Sequence, residues 1–406
     1  VLDGQEAVGV EQDADGVTLT VQDAETGKQS KLRGQYLLGA DGAHSRIREL
    51  LGIPFDGRGV FSNSITIYFH ADLGPQLLGK QLSVVYINNA MLGGFFRMDK
   101  DCKSGFLAVN TVGDPKKDPK AAADAAADIS EARLIEFVRA GAGIPDLPVK
   151  IDGVARWRAT SDVARKFREG RVFLAGDAAH LMPPNGGFGG NTGIHDAHNL
   201  AWKLALVLKG VAGPALLDTY ETERKPVGKF TVEQAYTRYV TRTAPYLGAK
   251  DFEPIAHDFN IELGYRYCSP AICAENGESK VHDDPRQTFG CPGSRAPHLW
   301  LERDGKKVST IDLTGGAFVL LAGPDGEAWC GAARKAAANA GVPLDAYRIG
   351  GELRDPGGGF AAAYGLSASG AALIRPDGFV AWRAQERTDD PQGALTRAFD
   401  GILARA

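Results

Sequence analysis

The residues with the most chemical content lie between Arg171 and Gly193. They read Arg-Val-Phe-Leu-Ala-Gly176-Asp177-Ala-Ala-His180-Leu-Met-Pro-Pro184-Asn-Gly-Gly187-Phe-Gly189-Gly190-Asn191-Thr192-Gly193. A carboxylate, Asp177, follows four apolar residues at 172–175, and glycines at 186, 187, 189, 190 and 193 lead into a helical pattern. An unbroken apolar run suits a strand buried on both faces, and the carboxyl end of such a strand is where open parallel sheets bind ligands. The glycines let the backbone come close to something flat. The spacing predicts a helix capped by Asn191 or Thr192, with Ile194, Ala197, Ala201, Leu204 and Leu208 as its apolar face. Its unpaired N–H groups and positive dipole end point at the same turn. A helix start suits a developing negative charge, and a carboxylate beside it suits a hydroxyl.

A hydroxylated chain joined to a reducible ring meets both demands, which describes a flavin. A plain strand-to-helix turn with glycines for tight packing is the alternative. The run Gly176-Asp177-Ala-Ala-His180, followed by Pro184, Gly187, Gly189, Asn191, Asp196, Asn199-Leu200 and Trp202-Lys203-Leu204, resembles the second FAD motif of the single-component aromatic hydroxylases. These are flavoprotein monooxygenases of the phenol hydroxylase and polyketide hydroxylase type. The resemblance implies that Asp177 meets the ribityl hydroxyls and that the Gly190, Asn191 and Thr192 backbone stabilises the N(1)/C(2)=O edge of reduced flavin. It also makes Gly176, Pro184, Gly187 and Gly189 cofactor-binding positions. A short apolar strand at 36–40 ends in Asp41-Gly42-Ala-His-Ser45-Arg-Ile-Arg48, which resembles the family's Asp-Gly motif. That likeness places Asp41, Gly42 and Arg48 near the cofactor pyrophosphate and the nicotinamide nucleotide; a helix start capped by Ser45 is the alternative. Tyr220, Glu223-Arg224 and Pro226 resemble the sequence that closes the FAD-binding half, in a structural role.

The fold these elements imply is α/β, with a Rossmann-like FAD-binding domain, an inserted mixed or antiparallel sheet, and a C-terminal thioredoxin-like domain; the resemblance implies that the inserted sheet roofs the flavin and holds the substrate. The expected segments are 1–52 and 161–225 for the two parts of the FAD domain, 53–160 for the inserted sheet, 226–284 for a helix and loop connector, and 285–406 for the last domain. A Gly-x-Gly-x-x-Gly turn after an opening strand is absent, since Gly57-Arg-Gly59 precedes a strand. The expectation is that a βαβ unit holding the ADP half of FAD lies outside this chain. Within the insert, residues 64–70 alternate, with Ile65, Ile67 and Phe69 on one face and Thr66, Tyr68 and His70 on the other. Strands at 82–87, 94–98 and 106–111 follow. A Pro-, Lys- and Ala-rich connector at 114–128 leads to a helix at 133–139 with an Asp128/Glu131 capping box, and a returning strand runs at 148–157. Tyr68, His70, Tyr86, Phe95, Phe96 and Arg97 are the insert's candidates for facing a substrate. Beyond 285, strands are expected at 309–313, 318–323 and 346–349, a helix at 327–340, a hairpin around Pro376-Asp377-Gly378 and a helix at 391–404. Trp329-Cys330-Gly331-Ala332-Ala333 is similar to a thioredoxin active site, but Ala333 replaces the second cysteine. Dithiol exchange is therefore ruled out, and the role is structural.

A formal net charge of -4 and the lack of a long basic block argue against a nucleic-acid partner. Lys203 and Lys209 interrupt the most apolar helix, which argues against a membrane span. Five cysteines at irregular spacing give neither a disulfide framework nor a metal site, and a reducing cytoplasm fits best. A homodimer is compatible with the sequence. The resemblance implies an FAD-dependent hydroxylase that uses NADPH or NADH and O2 and passes one oxygen to a small aromatic substrate, phenol or polyketide, through a flavin C(4a)-hydroperoxide. Because the cofactor does the difficult chemistry, no catalytic acid/base pair is expected. Two rivals stand beside it: a Baeyer-Villiger oxidation of a ketone on the same fold, and a non-catalytic flavin-binding or interaction protein.

Overall fold

Strand β1 (Gln5–Gln12) opens an antiparallel meander with β2 (Val17–Asp23) and β3 (Gln29–Gly34). The computed structural model describes residues 1–80, 84–113, 116–245, 250–275 and 280–405. Next comes the short β4 (Leu37–Gly39), which pairs in parallel with β11 (Val172–Leu174) although more than 130 residues separate them in sequence. Both ends of the FAD-type half are thus joined by a sheet whose β11 residues are wholly buried, as an all-apolar strand requires.

Between them lies the insert. Six strands run in the order β12-β9-β5-β8-β7-β6, every pair antiparallel: β5 (Phe55–His70), β6 (Val85–Asn88), β7 (Leu92–Met98), β8 (Ser104–Val112), β9 (Lys150–Ala164) and β12 (His180–Leu181). Ile65, Ile67 and Phe69 fill the face covered by the helix Glu131–Ala142, through Leu134, Phe137 and Val138. The alternation read from sequence is therefore the observed one. Leu82 and Ser83 of the expected 82–87 strand, and 114–115 of the expected connector, lie outside the described residues. The capping box does not form: Ser130 is the N-cap, and Asp128 instead accepts from the Ser130 N–H. A two-residue bond satisfies Asp128 before it can reach the helix.

After β10 (Arg168–Glu169) and β11, the helices Phe188–Leu208 and Asp218–Arg238 pack together. The second runs straight through Pro226, so the boundary expected at 225 falls inside one helix. Beyond the small hairpin β13 (Trp300–Arg303) and β14 (Lys306–Ser309), the last sheet has the order β16-β15-β17-β18. There β15 (Phe318–Ala322) is parallel to β16 (Leu344–Arg348) and antiparallel to β17 (Ala371–Ile374), which pairs with β18 (Val380–Ala384). Residues 311–313 form a 3-10 turn instead of extending a strand. The helices Glu327–Ala340 and Pro391–Ile402 cover one face, and their core is continuous with Trp202, Leu206 and Leu216.

Candidate cofactor site

Strand β11 ends at Leu174, and a single 3-10 turn, Gly176–Ala178, sends the chain towards the long helix. That helix begins at Phe188, three to four residues before the expected cap. Gly187 is the N-cap in the left-handed region (φ 73°), with no side-chain cap. Asn191 and Thr192 lie inside the first turns, and Thr192 bonds back to the Phe188 carbonyl at 2.8 Å. The amides that precede the first intrahelical bond are therefore those of Phe188, Gly189 and Gly190. A Cβ on Gly190 would meet nothing within 4 Å, whereas one on Gly193 would lie 3.2 Å from the Gly176 Cα. One glycine leaves an open approach, and the other lets helix and turn touch.

The buried side of this helix is not the apolar stripe. Ile194 and Leu208 are 67% and 49% exposed, while Asp196, Asn199 and Lys203 are buried. Two ion networks explain the inversion. In the first, Asp196 accepts from the Gly176 N–H (3.0 Å) and from the Arg224 Nε (2.8 Å), and His180 Nε2 lies 2.7 Å away. Arg224 also donates to the Thr192 carbonyl (3.1 Å) and the Tyr267 hydroxyl (3.2 Å). Burial alone would raise the Asp196 carboxyl, but Arg224 and then His180 hold it below the usual range. This cluster ties the turn before Asp177 to both long helices. The motif residues His180, Asp196 and Arg224 are visible in the sequence, yet only their burial reveals that they brace the turn from behind.

In the second network, Glu223 meets Lys203 (2.8 Å) and Arg375 (2.7 Å), and Asp377 accepts from Trp202 Nε1 (3.2 Å). Burial outweighs Glu223 and pulls Lys203 down to about 8. The hairpin turn of the last sheet is thereby bolted to the long helix.

Asp177 is exposed and lines a cavity of about 680 Å³ with His44, Asn63, Arg156, Arg158, Asp162 and Met182. Arg156 and Arg158 project here from β9 as an Arg-x-Arg pair, a signal that sequence reasoning passed over. Two larger grooves, about 790 and 900 Å³, contain none of these residues. Asp41 and Arg48 do local work. Asp41 accepts from the Ser45 hydroxyl (2.6 Å) and the Ile47 N–H (2.9 Å), Ser45 caps the Arg48 N–H (3.0 Å), and Arg48 donates to the Ile53 carbonyl (2.8 Å). That is the capped helix start; Gly42, at φ 82°, makes the turn into it. Pro184 accepts the Gly187 N–H at 3.1 Å. Of the insert's candidates, Phe96 is core, edge-on to Phe69, whereas Tyr86, Phe95 and Tyr68 form an aromatic row with Phe106 on the opposite face. His70 pairs with Asp152. Among the described residues no cluster of His, Cys, Asp or Glu is arranged to hold a metal, and no helix is long and apolar enough to cross a membrane.

A strand-turn-helix with free amides at an uncapped, glycine-lined helix start and a carboxylate on the adjoining cavity fits a flavin, and defines a flavoprotein of the α/β class. The FAD-binding domain family model matches residues 1–235, and the C-terminal model of the aromatic-ring hydroxylases matches 290–406. The 4-methyl-5-nitrocatechol 5-monooxygenase of Burkholderia sp is 49% identical over 98% of this chain and 74% of its own length. The tetracenomycin A2 monooxygenase-dioxygenase of Streptomyces glaucescens is 42% identical over 97% and 70%. The crystal structure of aklavinone-11 hydroxylase with FAD and aklavinone superimposes with a TM-score of 0.89 at 35% identity, covering 99% of this chain and 74% of that one. The chain belongs to the FAD-dependent aromatic-ring hydroxylases, a family of flavoprotein monooxygenases. The non-catalytic alternative is set aside.

Proposed function

We propose that this chain hydroxylates a substituted phenol or catechol, with FAD lying across the turn that joins β11 to the helix Phe188–Leu208. The carrying observation is the uncapped helix start beside an exposed Asp177 on the 680 Å³ cavity. Asp177 accepts from the ribityl hydroxyls. The Phe188, Gly189 and Gly190 amides, one turn earlier than Gly190 to Thr192, face the N(1)/C(2)=O edge and favour its negative charge on reduction. Gly176, Gly187 and Pro184 shape the turn, and Asn191 and Thr192 line it. Bound FAD supplies electron transfer from NADPH or NADH and the activation of O2. The protein's own part is to hold the ring, to roof it with the insert's sheet, and to present the substrate there. Arg156 and Arg158 give that cavity a positive wall suited to phosphate or phenolate. The C-terminal sheet, with its parallel β15–β16 pair and β17–β18 hairpin, supports a thioredoxin-like reading of 285–406.

The 49% identity to a nitrocatechol monooxygenase favours a single-ring substrate. A fused-ring polyketide is the second reading, favoured by the likeness to the aklavinone complex. The test is turnover by the FAD-loaded protein, with NADPH and NADH, of a panel of phenols, fused-ring phenols and ketones. A ring-hydroxylated product sixteen mass units heavier, formed in step with nucleotide oxidation, is expected. Esters or lactones from the ketones with no phenol product would move the protein to the Baeyer-Villiger class.

A further inference from the structure

Two charged side chains from other segments flank the first turn of the helix Phe188–Leu208. The short helix Asp258–Glu262 packs Ile261 against Phe188 and Ala235, which brings both of its ends beside the helix start. One end meets Arg238. This guanidinium stands over the Phe188 ring, 5.0 Å from its centroid, and Arg238 is only 2% exposed. It donates to Gln234 Oε1 (3.0 Å), to the Ala256 carbonyl (2.9 Å) and to the Asp258 carboxylate (2.5 Å). At the other end Asn191 Nδ2 donates to Glu262 Oε1 at 3.3 Å, and Glu262 is half-buried. A cation and an anion thus sit on either side of the bare Phe188, Gly189 and Gly190 amides.

Packing alone does not call for the cation. Burying a guanidinium is costly, and an apolar side chain of similar volume beside Phe188, Ala235 and Ile261 would avoid that cost. Among the described residues the one anionic partner of Arg238 is Asp258, whose side chain is 72% exposed. Water screens that carboxylate more than it screens the guanidinium, so the positive field is not cancelled towards the helix start. Hydride delivery from the nicotinamide adds two electrons and one proton to the oxidised ring and leaves it with one net negative charge. A fixed charge beside the amides that face the ring therefore weighs on the reduced form and hardly on the oxidised one. We propose that Arg238 and Glu262 set the reduction potential of the bound flavin through this helix start, Arg238 raising it as a buried cation and Glu262 lowering it as the opposing anion. Asp258 anchors Arg238 and offsets part of its charge. The proposal rests on the cofactor placement above and adds to it residues that lie outside both FAD sequence motifs.

The experiment measures the two-electron potential of the FAD-loaded protein by equilibration with a reference dye, together with its affinities for oxidised and reduced FAD. The variants are Arg238→Met, Asp258→Asn and Glu262→Gln. Arg238→Met is expected to weaken binding of reduced relative to oxidised FAD about three- to tenfold, which is a potential lower by about 14 to 30 mV for a two-electron couple. Glu262→Gln and Asp258→Asn should move it upward by a similar factor. Both lie nearer the surface, so they remain informative if Arg238→Met fails to fold. A clamp that merely fastened the short helix would lose stability in these variants without shifts of opposite sign. Unchanged potentials in the folded variants, or shifts all of one sign, overturn the proposal. A wild-type protein that binds no FAD overturns the cofactor placement itself, and the proposal falls with it.

Discussion

Removing either partner of the Asp196–Arg224 pair should loosen the flavin turn more than any change on the turn itself. Both side chains are fully buried, and Asp196 is the acceptor for the Gly176 N–H, one residue before Asp177. Asp196→Leu strands a buried guanidinium, and Arg224→Met strands a buried carboxylate. Each is expected to cost about 3–5 kcal/mol, roughly two to four orders of magnitude in the folded-to-unfolded ratio. The double variant, with neither charge, should recover much of that loss, because an apolar pair of similar volume avoids the desolvation both ions suffer. The assay is a double-mutant cycle in urea, following the first unfolding transition, since a chain with several cores need not unfold in one step. FAD affinity is measured in parallel and should fall in both single variants as Gly176 and Asp177 shift. Single variants within about 1 kcal/mol of wild type, or a double variant as damaged as the sum, would refute the reasoning.

Gly190→Asp places a like charge at the edge where reduced flavin is negative, and its Cβ meets no atom within 4 Å. The flavin-replete variant should have a two-electron potential lower by about 10–40 mV at equal or higher stability, since an acid in a first helical turn favours the helix. An unchanged potential would mean the helix start does not face the ring. Asp177→Ala should weaken FAD binding about tenfold without altering the melting temperature, and unaltered FAD affinity would remove this residue from the site. Burial would raise the carboxyls of Glu223 and Asp196, but Arg375 with Lys203, and Arg224 with His180, hold both below the ordinary range. Such groups bind protons less readily folded than unfolded, so their stabilisation is complete above about pH 4.5 and is lost as pH falls through the folded value. Urea unfolding between about pH 3 and 7 should show a flatter acid limb in Glu223→Gln and Asp196→Asn, and an identical limb in both would count against the assignment. Burial pushes the Cys330 thiol up to about 11. Cys330→Ala should therefore leave turnover and flavin content intact, and loss of turnover in a well-folded variant would restore a redox role to this cysteine.

What could be read from sequence was whatever short-range pattern decides. The apolar run of β11, the alternation of Ile65, Ile67 and Phe69, the helix Glu327–Ala340 and the Pro376-Asp377-Gly378 turn each carry their signal within a few residues. The orientation of the helix Phe188–Leu208 does not. Its apolar stripe pointed one way, and the structure buries Asp196, Asn199 and Lys203 instead, because their partners arrive from elsewhere: Arg224 and Glu223 from the helix Asp218–Arg238, and Asp377 from the hairpin of the last sheet. Hydrophobic periodicity assumes that burial follows apolarity, and a fully paired polar face breaks that assumption. The cap was misplaced for a related reason. Asn191 and Thr192 have the favoured side chains, but a left-handed Gly187 begins the helix a turn sooner, leaving bare amides where a capping oxygen would have occupied them.

The same inversion explains why the C-terminal sheet is tied to cofactor chemistry at all. Arg375 and Asp377 sit on a hairpin turn far from any flavin contact in sequence, yet they complete the charge balance around Glu223 and Lys203 and cap the Trp202 indole. Without that turn, Glu223 would keep Lys203, Asn199 and Ser269 but lose the Arg375 guanidinium, and Trp202, which packs edge-on to Phe318, would lose its acceptor. The helix that offers its first amides at Phe188 is thus held from below by one network and at its middle by another, so its direction relative to the turn at Gly176 is set at two points along its length. An electrostatic contribution at a helix start falls off within one turn. A helix free to tilt would spread that contribution over many positions, and two buried, charge-balanced anchors keep it aimed at one.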